Sequence, residues 1–211
     1  MKIINFIKDS TSECAPFSWG LTLFCYGCNL CCEMCKGYNY EKVTNRDNII
    51  GSAIDIISQN ITPIHDCVVF IGGEPTVWGE SLKEALRYCH EHNLKTKIFS
   101  NGVNTDLIKE INEEGLCDAW SIDFKGVSHL EEQIGMKGIE YSIKLDDTLT
   151  NIIEHKLPLE IRTTFYEGNE KDKEQIISTV EGHFINPYKK ENPTIYAKFI
   201  EQYDMRDLLK C

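Results

Sequence analysis

Half of the chain's ten cysteines, Cys25, Cys28, Cys31, Cys32 and Cys35, fall within residues 25–35, in the segment CYGCNLCCEMCKG. Crowded thiolates at such spacing point to metal chemistry. One division of the segment gives two CxxC pairs, Cys28 with Cys31 and Cys32 with Cys35, which could hold zinc through four thiolates. Those pairs abut, however, whereas structural zinc sites usually separate them by a longer loop, and no His lies nearby. The other division is CxxxCxxC: Cys28, Cys32 and Cys35. Three thiolates on a tight loop can bind three irons of a cubane [4Fe–4S] cluster and leave the fourth iron open. Cys25 and Cys31 are then surplus. They read as small apolar residues near the loop, with a swap of one of them into the ligand set as the rival.

Further chemistry-bearing residues follow apolar runs along the chain. In Gly72-Gly73-Glu74-Pro75-Thr76, glycines allow close backbone approach to a ligand, and Glu74 can accept a bond from an ammonium group. Taken alone, the same residues could be only a turn. Ser100-Asn101-Gly102 reads as a tight turn closing a strand. Asp123 and Lys125, in DAWSIDFK, fall on one face by the strand period of two, where a plain ion pair is the structural alternative. Arg162, within LEIRTTF, needs an anion or carboxylate partner if the strand is buried. His90 and His92 belong near a helix C-terminus and form no ligand set.

The elements that must position these residues alternate regularly. Short apolar runs at 17–24, 67–71, 95–99, 118–124, 159–166 and 194–200 read as six strands. Helical spacing appears in Ile49, Ile50, Ala53, Ile54 and Ile57, giving a helix over 47–60. It recurs at Leu82 to Cys89, at Leu107 to Ile111 with Gly115 as terminator, at Leu145 to Ile153, and at Ile176 to Val180. Six β/α units imply an α/β fold with a parallel sheet: a partial (β/α)6 TIM-like barrel, or else a doubly wound sheet. In either, ligands gather at the C-terminal strand ends. The cysteine loop, the Gly-Gly-Glu loop, the Ser-Asn-Gly turn and the Asp-x-Lys pair all belong there.

With 211 residues and no long polar linker, one domain over 1–211 is expected, its core spanning about 17–200. The net charge of −11 argues against nucleic acid or an anionic membrane as partner. No apolar run is long enough to span a bilayer. Asp9 and Glu13 interrupt any leader-like core in MKIINFIKDSTSE, so a cytoplasmic protein is expected. In that compartment many cysteines mean metal or redox chemistry more often than disulfides.

The Cys28–Cys32–Cys35 spacing, preceded by Gly27 and followed by Lys36-Gly37, resembles the signature of the radical SAM superfamily. The Gly-Gly-Glu loop and the Ser-Asn-Gly turn are similar to family motifs, although Phe99 stands where many relatives have Asp. Met34 replaces a usual aromatic residue and can still pack on an adenine ring. The order GCNLCCEMC, FIGGEPT, FSNG, DAWSIDFKG and EIRTTF, over roughly residues 17–200, resembles activating proteins of anaerobic ribonucleoside-triphosphate reductase. It is more distantly similar to the pyruvate formate-lyase activating enzyme. The resemblance implies a [4Fe–4S] cluster on Cys28, Cys32 and Cys35, with its open iron chelated by S-adenosyl-L-methionine. It implies that Gly72, Gly73 and Glu74 hold the methionyl amino group, Asp123 the ribose hydroxyls and Lys125 the carboxylate. Arg162 would face that carboxylate too, and Ser100 and Asn101 would complete the cofactor site. No catalytic residue beyond the cluster ligands is implied. The activity would be that of an anaerobic oxidoreductase. Fed by flavodoxin or ferredoxin, it would install a glycyl radical on a large glycyl-radical enzyme. The alternatives are a small-molecule radical SAM enzyme, similar to 7-carboxy-7-deazaguanine synthase, and a non-enzymatic metal-binding module.

Overall fold

The computed structural model describes residues 1–36 and 43–201. Its strands are β1 (Lys2–Ser10), β2 (Gly20–Cys25), β3 (Gly51–Ser52), β4 (Cys67–Gly72), β5 (Lys95–Ser100), β6 (Ala119–Asp123), β7 (Leu159–Phe165) and β8 (Ile195–Glu201). They form one sheet in the order β3-β1-β2-β4-β5-β6-β7-β8. From β2 to β8 every pairing is parallel, while β1 pairs antiparallel with both β2 and β3. The parallel part matches the six expected strands. The sheet does not close, so the architecture is a partial (β/α)6 TIM-like barrel with an antiparallel extension at one edge.

Helices α1 (Glu33–Lys36), α2 (Ala53–Asn60), α3 (Glu80–Glu91), α4 (Thr105–Glu113), α5 (Leu130–Ile134), α6 (Gly138–Glu154) and α7 (Lys173–Thr179) connect the strands. Helix α2 is shorter than the 47–60 span expected from its isoleucines. Ser52 caps it, accepting from the Asp55 N–H at 3.2 Å and donating to the Asp55 carboxylate at 2.6 Å. Residues 51–52 pair with β1 instead. Gly115 does end α4, in the left-handed region at φ +64°. Helix α7 runs into a six-residue π-helical turn, Val180–Ile185.

The two faces of the sheet differ in chemistry. Leu21, Leu23, Val68, Phe70, Ile98, Trp120, Ile122, Leu159 and Ile161 are buried in the main core with the helices. The alternate residues of the same strands, among them Thr22, Val69, Lys97, Phe99, Ser121, Glu160 and Arg162, belong to the opposite face. Residues 11–19 pack against that face: Cys14 clusters with Cys67, Val69 and Phe99, and Phe17 packs beside them.

Candidate active site

The sheet's C-terminal edge brings the chemistry-bearing loops together. Strand β2 ends at Cys25 and leads directly into the cysteine loop; its neighbour β4 ends at Gly72 in register with Cys25. The Gly73 N–H donates to the Cys25 carbonyl at 3.0 Å, and the Glu74 N–H to the Gly27 carbonyl at 2.7 Å. Gly72 sits at φ +111°, and a Cβ there would lie 2.6 Å from the Cys25 nitrogen; one on Gly73 would run into the Gly27 carbonyl oxygen. The glycines therefore let the Gly-Gly-Glu loop lie directly against the backbone of the cysteine loop.

Glu74 is buried, 1% exposed, and ties three segments together. Its Oε1 accepts from the Thr76 N–H (3.2 Å), the Thr76 hydroxyl (2.7 Å) and the Ser100 hydroxyl (2.8 Å), and its Oε2 from the Asn101 N–H (2.7 Å). A carboxylate oxygen has about two lone-pair sites, so Oε2 keeps capacity for an ammonium donor. Burial raises the Glu74 pKa, with the Asn101 N–H foremost among the bonds that oppose the shift. Asn101 reaches back to the cysteine loop, donating to Asn29 Oδ1 at 2.7 Å. Asn29 was not singled out from the sequence, where an Asn between two cysteines carries no signal of its own.

Lys125 and Asp123 form a close ion pair, Nζ to Oδ2 2.5 Å. Burial would lower the Lys125 pKa, but the Asp123 carboxylate overcomes it and holds the ammonium charged. Tyr141, buried on α6, fixes this turn: it accepts from the Lys125 N–H at 3.0 Å and donates to the Asp123 carbonyl at 2.9 Å. A cleft of about 330 Å³, open space included, is lined by Cys32, Asp123, Lys125, Gln133, Arg162 and Tyr166, among others. Tyr166 lies just past the end of β7, where the strand-end rule could have found it.

Arg162 has the carboxylate partner its burial demands. Nη1 donates to Glu13 at 3.0 Å, and the guanidinium lies 5.2 Å from the centre of the Phe99 ring. His90, expected to need only solvent and the helix dipole, in fact meets Asp118 at 2.9 Å.

Among the cysteines, Cys25 faces the helix-covered core, fully buried, with its Sγ 3.8 Å from Met1 Sδ. Cys31 lies against Gly135, and its N–H donates to the Ile134 carbonyl at 3.2 Å. Burial pushes the Cys28 thiol up to about 12 and raises Cys32 and Cys35, while Lys125 pulls all three the other way. Three cysteine sulfurs are the donors that an iron–sulfur cluster takes, so this donor set suits one. Among the described residues, no three His, Cys, Asp or Glu side chains are drawn together as they would be around one metal ion. The side chain of Met34 lies outside the described residues.

The model of the radical SAM superfamily matches residues 22–180, from β2 into the π-helical turn. The chain belongs to the radical SAM superfamily. It is a radical SAM enzyme, and the family implies a [4Fe–4S] cluster and S-adenosylmethionine. A Methanocaldococcus jannaschii protein, provisionally named a glycyl-radical enzyme activating enzyme, is 28% identical over 84% of this chain and 75% of its own length. Among solved structures, TYW1 with a lysine-pyruvate adduct superposes at a TM-score of 0.51 with 18% identity, over 77% of this chain and 61% of that one. The structure titled anSMEcpe with bound AdoMet superposes at 0.52 with 17% identity, over 84% of this chain and 47% of that one. This radical SAM chain thus spans roughly half to three-fifths of those structures, and the likeness to them is one of fold. No described helix is long and apolar enough to cross a membrane.

Proposed function

We propose that this radical SAM enzyme installs a glycyl radical on a large partner enzyme, using a [4Fe–4S] cluster held by Cys28, Cys32 and Cys35. The observation that carries the reading is the M. jannaschii relative, whose similarity covers most of both chains and whose name states that role. The cluster, when bound, supplies the electron that cleaves S-adenosylmethionine. Residues of this chain would bind and orient the nucleoside. Glu74 Oε2 offers the methionyl amino group its remaining acceptor site, with Gly72 and Gly73 setting the loop. Ser100 and Asn101 hold Glu74 in place, and Met34 would pack on the adenine. Asp123 would accept from the ribose hydroxyls. Lys125, charged and lining the same cleft as Cys32, would meet the carboxylate. An electron donor such as flavodoxin or ferredoxin completes the cycle.

The test is to incubate the anaerobically reconstituted protein with S-adenosylmethionine, a reductant and a glycyl-radical enzyme from the same source. The expected result is a glycyl EPR signal on the partner, absent when this protein is left out. Formation of 5′-deoxyadenosine without any such signal would overturn the glycyl-radical reading in favour of a small-molecule substrate.

A further inference from the structure

Beneath the cleft, the face of the sheet left uncovered by helices is unusually charged for an interior. Lys97, Glu160, Arg162 and Lys198 all lie on it, at alternating positions of β5, β7 and β8. Glu160 is engaged by its neighbours, accepting from Ser121 Oγ at 2.9 Å and from the Tyr196 hydroxyl at 2.5 Å. Lys97 is not so served. Its side chain is 1% exposed, and among the described residues its Nζ has no partner within hydrogen-bond distance. Its charge meets Glu160 at 3.6 Å and the Phe99 ring at 4.7 Å, with Glu13 and Lys198 acting on it at longer range. Thr22 Oγ1 is likewise buried without a partner, and Thr22, Val69 and Lys97 occupy one row across the sheet. Buried polar atoms are nearly always satisfied, so the Lys97 ammonium has donor capacity that a ligand's acceptor would fill.

The charges point to the acceptor's chemistry. Three cations, Lys97, Arg162 and Lys198, share the interior with two carboxylates, Glu160 and Glu13. Glu13 is not part of the sheet: it enters on residues 11–19 and accepts from Arg162 at 3.0 Å and from Lys198 at 3.5 Å. The interior is thus cationic in a protein whose net charge is −11. Arg162 also lines the cleft with Cys32, Asp123 and Lys125, so this interior adjoins the cofactor site.

We infer that the interior of the half barrel is a carboxylate-binding site for the substrate, with Lys97, Arg162 and Lys198 as its counter-charges and Glu13 holding the place of the substrate's carboxylate. This deepens the proposed function, on which it rests only in placing the substrate beneath the cofactor. The carboxylate could be an acidic side chain of a protein loop or a free organic acid. Displacement of Glu13 leaves the bidentate donor of Arg162 and the ammonium of Lys198 to the incoming group, with Lys97 as a counter-charge behind them.

The experiment is calorimetric titration of the reconstituted protein, with S-adenosylmethionine present, using two probes: glutarate and the blocked peptide N-acetyl-Gly-Glu-Gly-amide. Glu13→Ala is expected to bind at least one probe about tenfold more tightly than the unaltered protein, a gain of ~1.4 kcal/mol. Adding Lys97→Met or Lys198→Met to Glu13→Ala is expected to abolish the gain. Lys198 is 34% exposed, so that replacement keeps the test decisive even if Lys97→Met does not fold. A gain for the peptide identifies a protein substrate, and a gain for glutarate alone a small acid. No gain for either probe, or a gain that survives loss of the lysines, would overturn the inference. Neither result depends on whether a glycyl radical forms.

Discussion

Cys25 and Cys31 lie in the same cysteine-rich segment as the proposed ligands, yet their surroundings separate them. Cys25 points to the apolar core on the far face of the sheet, and Cys31 packs on the end of α5. Alanine at Cys28, Cys32 or Cys35 is therefore expected to abolish cluster iron, whereas Cys25→Ala and Cys31→Ala retain it. Iron content and cluster absorbance of the five variants decide this. Cys25→Ala should also cost about 1 kcal/mol in denaturant unfolding, as expected for loss of a small buried group. Lys125→Ala should keep its iron but bind S-adenosylmethionine ten- to a hundredfold more weakly, as expected for a charge-assisted bond of ~1.5–3 kcal/mol; equilibrium binding measures it. At this scale the sequence showed which residues needed partners more readily than which partners they take. That a buried Arg162 requires an anion follows from its type; that the anion is Glu13, 149 positions away, follows only from how residues 11–19 fold back.

The strands follow the apolar runs closely because a parallel strand buried on one face by helices must be apolar there. The antiparallel extension was not legible. Strand β1 is mostly exposed or half-buried along its length, so its pattern carries little core signal. The start of α2 was displaced because Ile49 and Ile50 continue the helical spacing, while Ser52 supplies the cap that ends it on the N-terminal side. The close approach of the β4 loop to the β2 loop was half legible. Two glycines announced an approach, but what approaches is the backbone of the cysteine loop. Gly73→Ala should therefore displace that loop. The expected outcome is a folded protein, by circular dichroism, with less than about half the cluster iron of the unaltered chain; full iron content would refute the contact's role.

Across the whole molecule, stability and chemistry are held at opposite ends of the sheet. At the N-terminal end of β6, Asp118 accepts from Lys95 (2.7 Å), His90 (2.9 Å) and the Thr96 N–H (2.9 Å), joining α3, β5 and β6. Burial would raise its pKa, but Lys95, the Thr96 N–H and His90 outweigh that and hold it below 3.8. A carboxylate depressed on folding stabilises above its unfolded pKa, and loses that contribution as pH falls through the folded value. Asp118→Asn should thus cost ~1.5–3 kcal/mol at pH 7, and the difference should shrink as pH falls through the lowered folded pKa, below 3.8. Denaturant unfolding at stepped pH measures both limbs.

The proposed reaction belongs at the C-terminal end, and one measurement addresses it directly. The protein, reconstituted anaerobically with iron and sulfide, is given S-adenosylmethionine and dithionite, and 5′-deoxyadenosine is quantified against the Cys32→Ala variant. A brown protein that forms 5′-deoxyadenosine, with a variant that forms none, is the expected result. A colourless protein carrying one tightly bound zinc, or a cluster-loaded protein that yields no 5′-deoxyadenosine, would contradict the account.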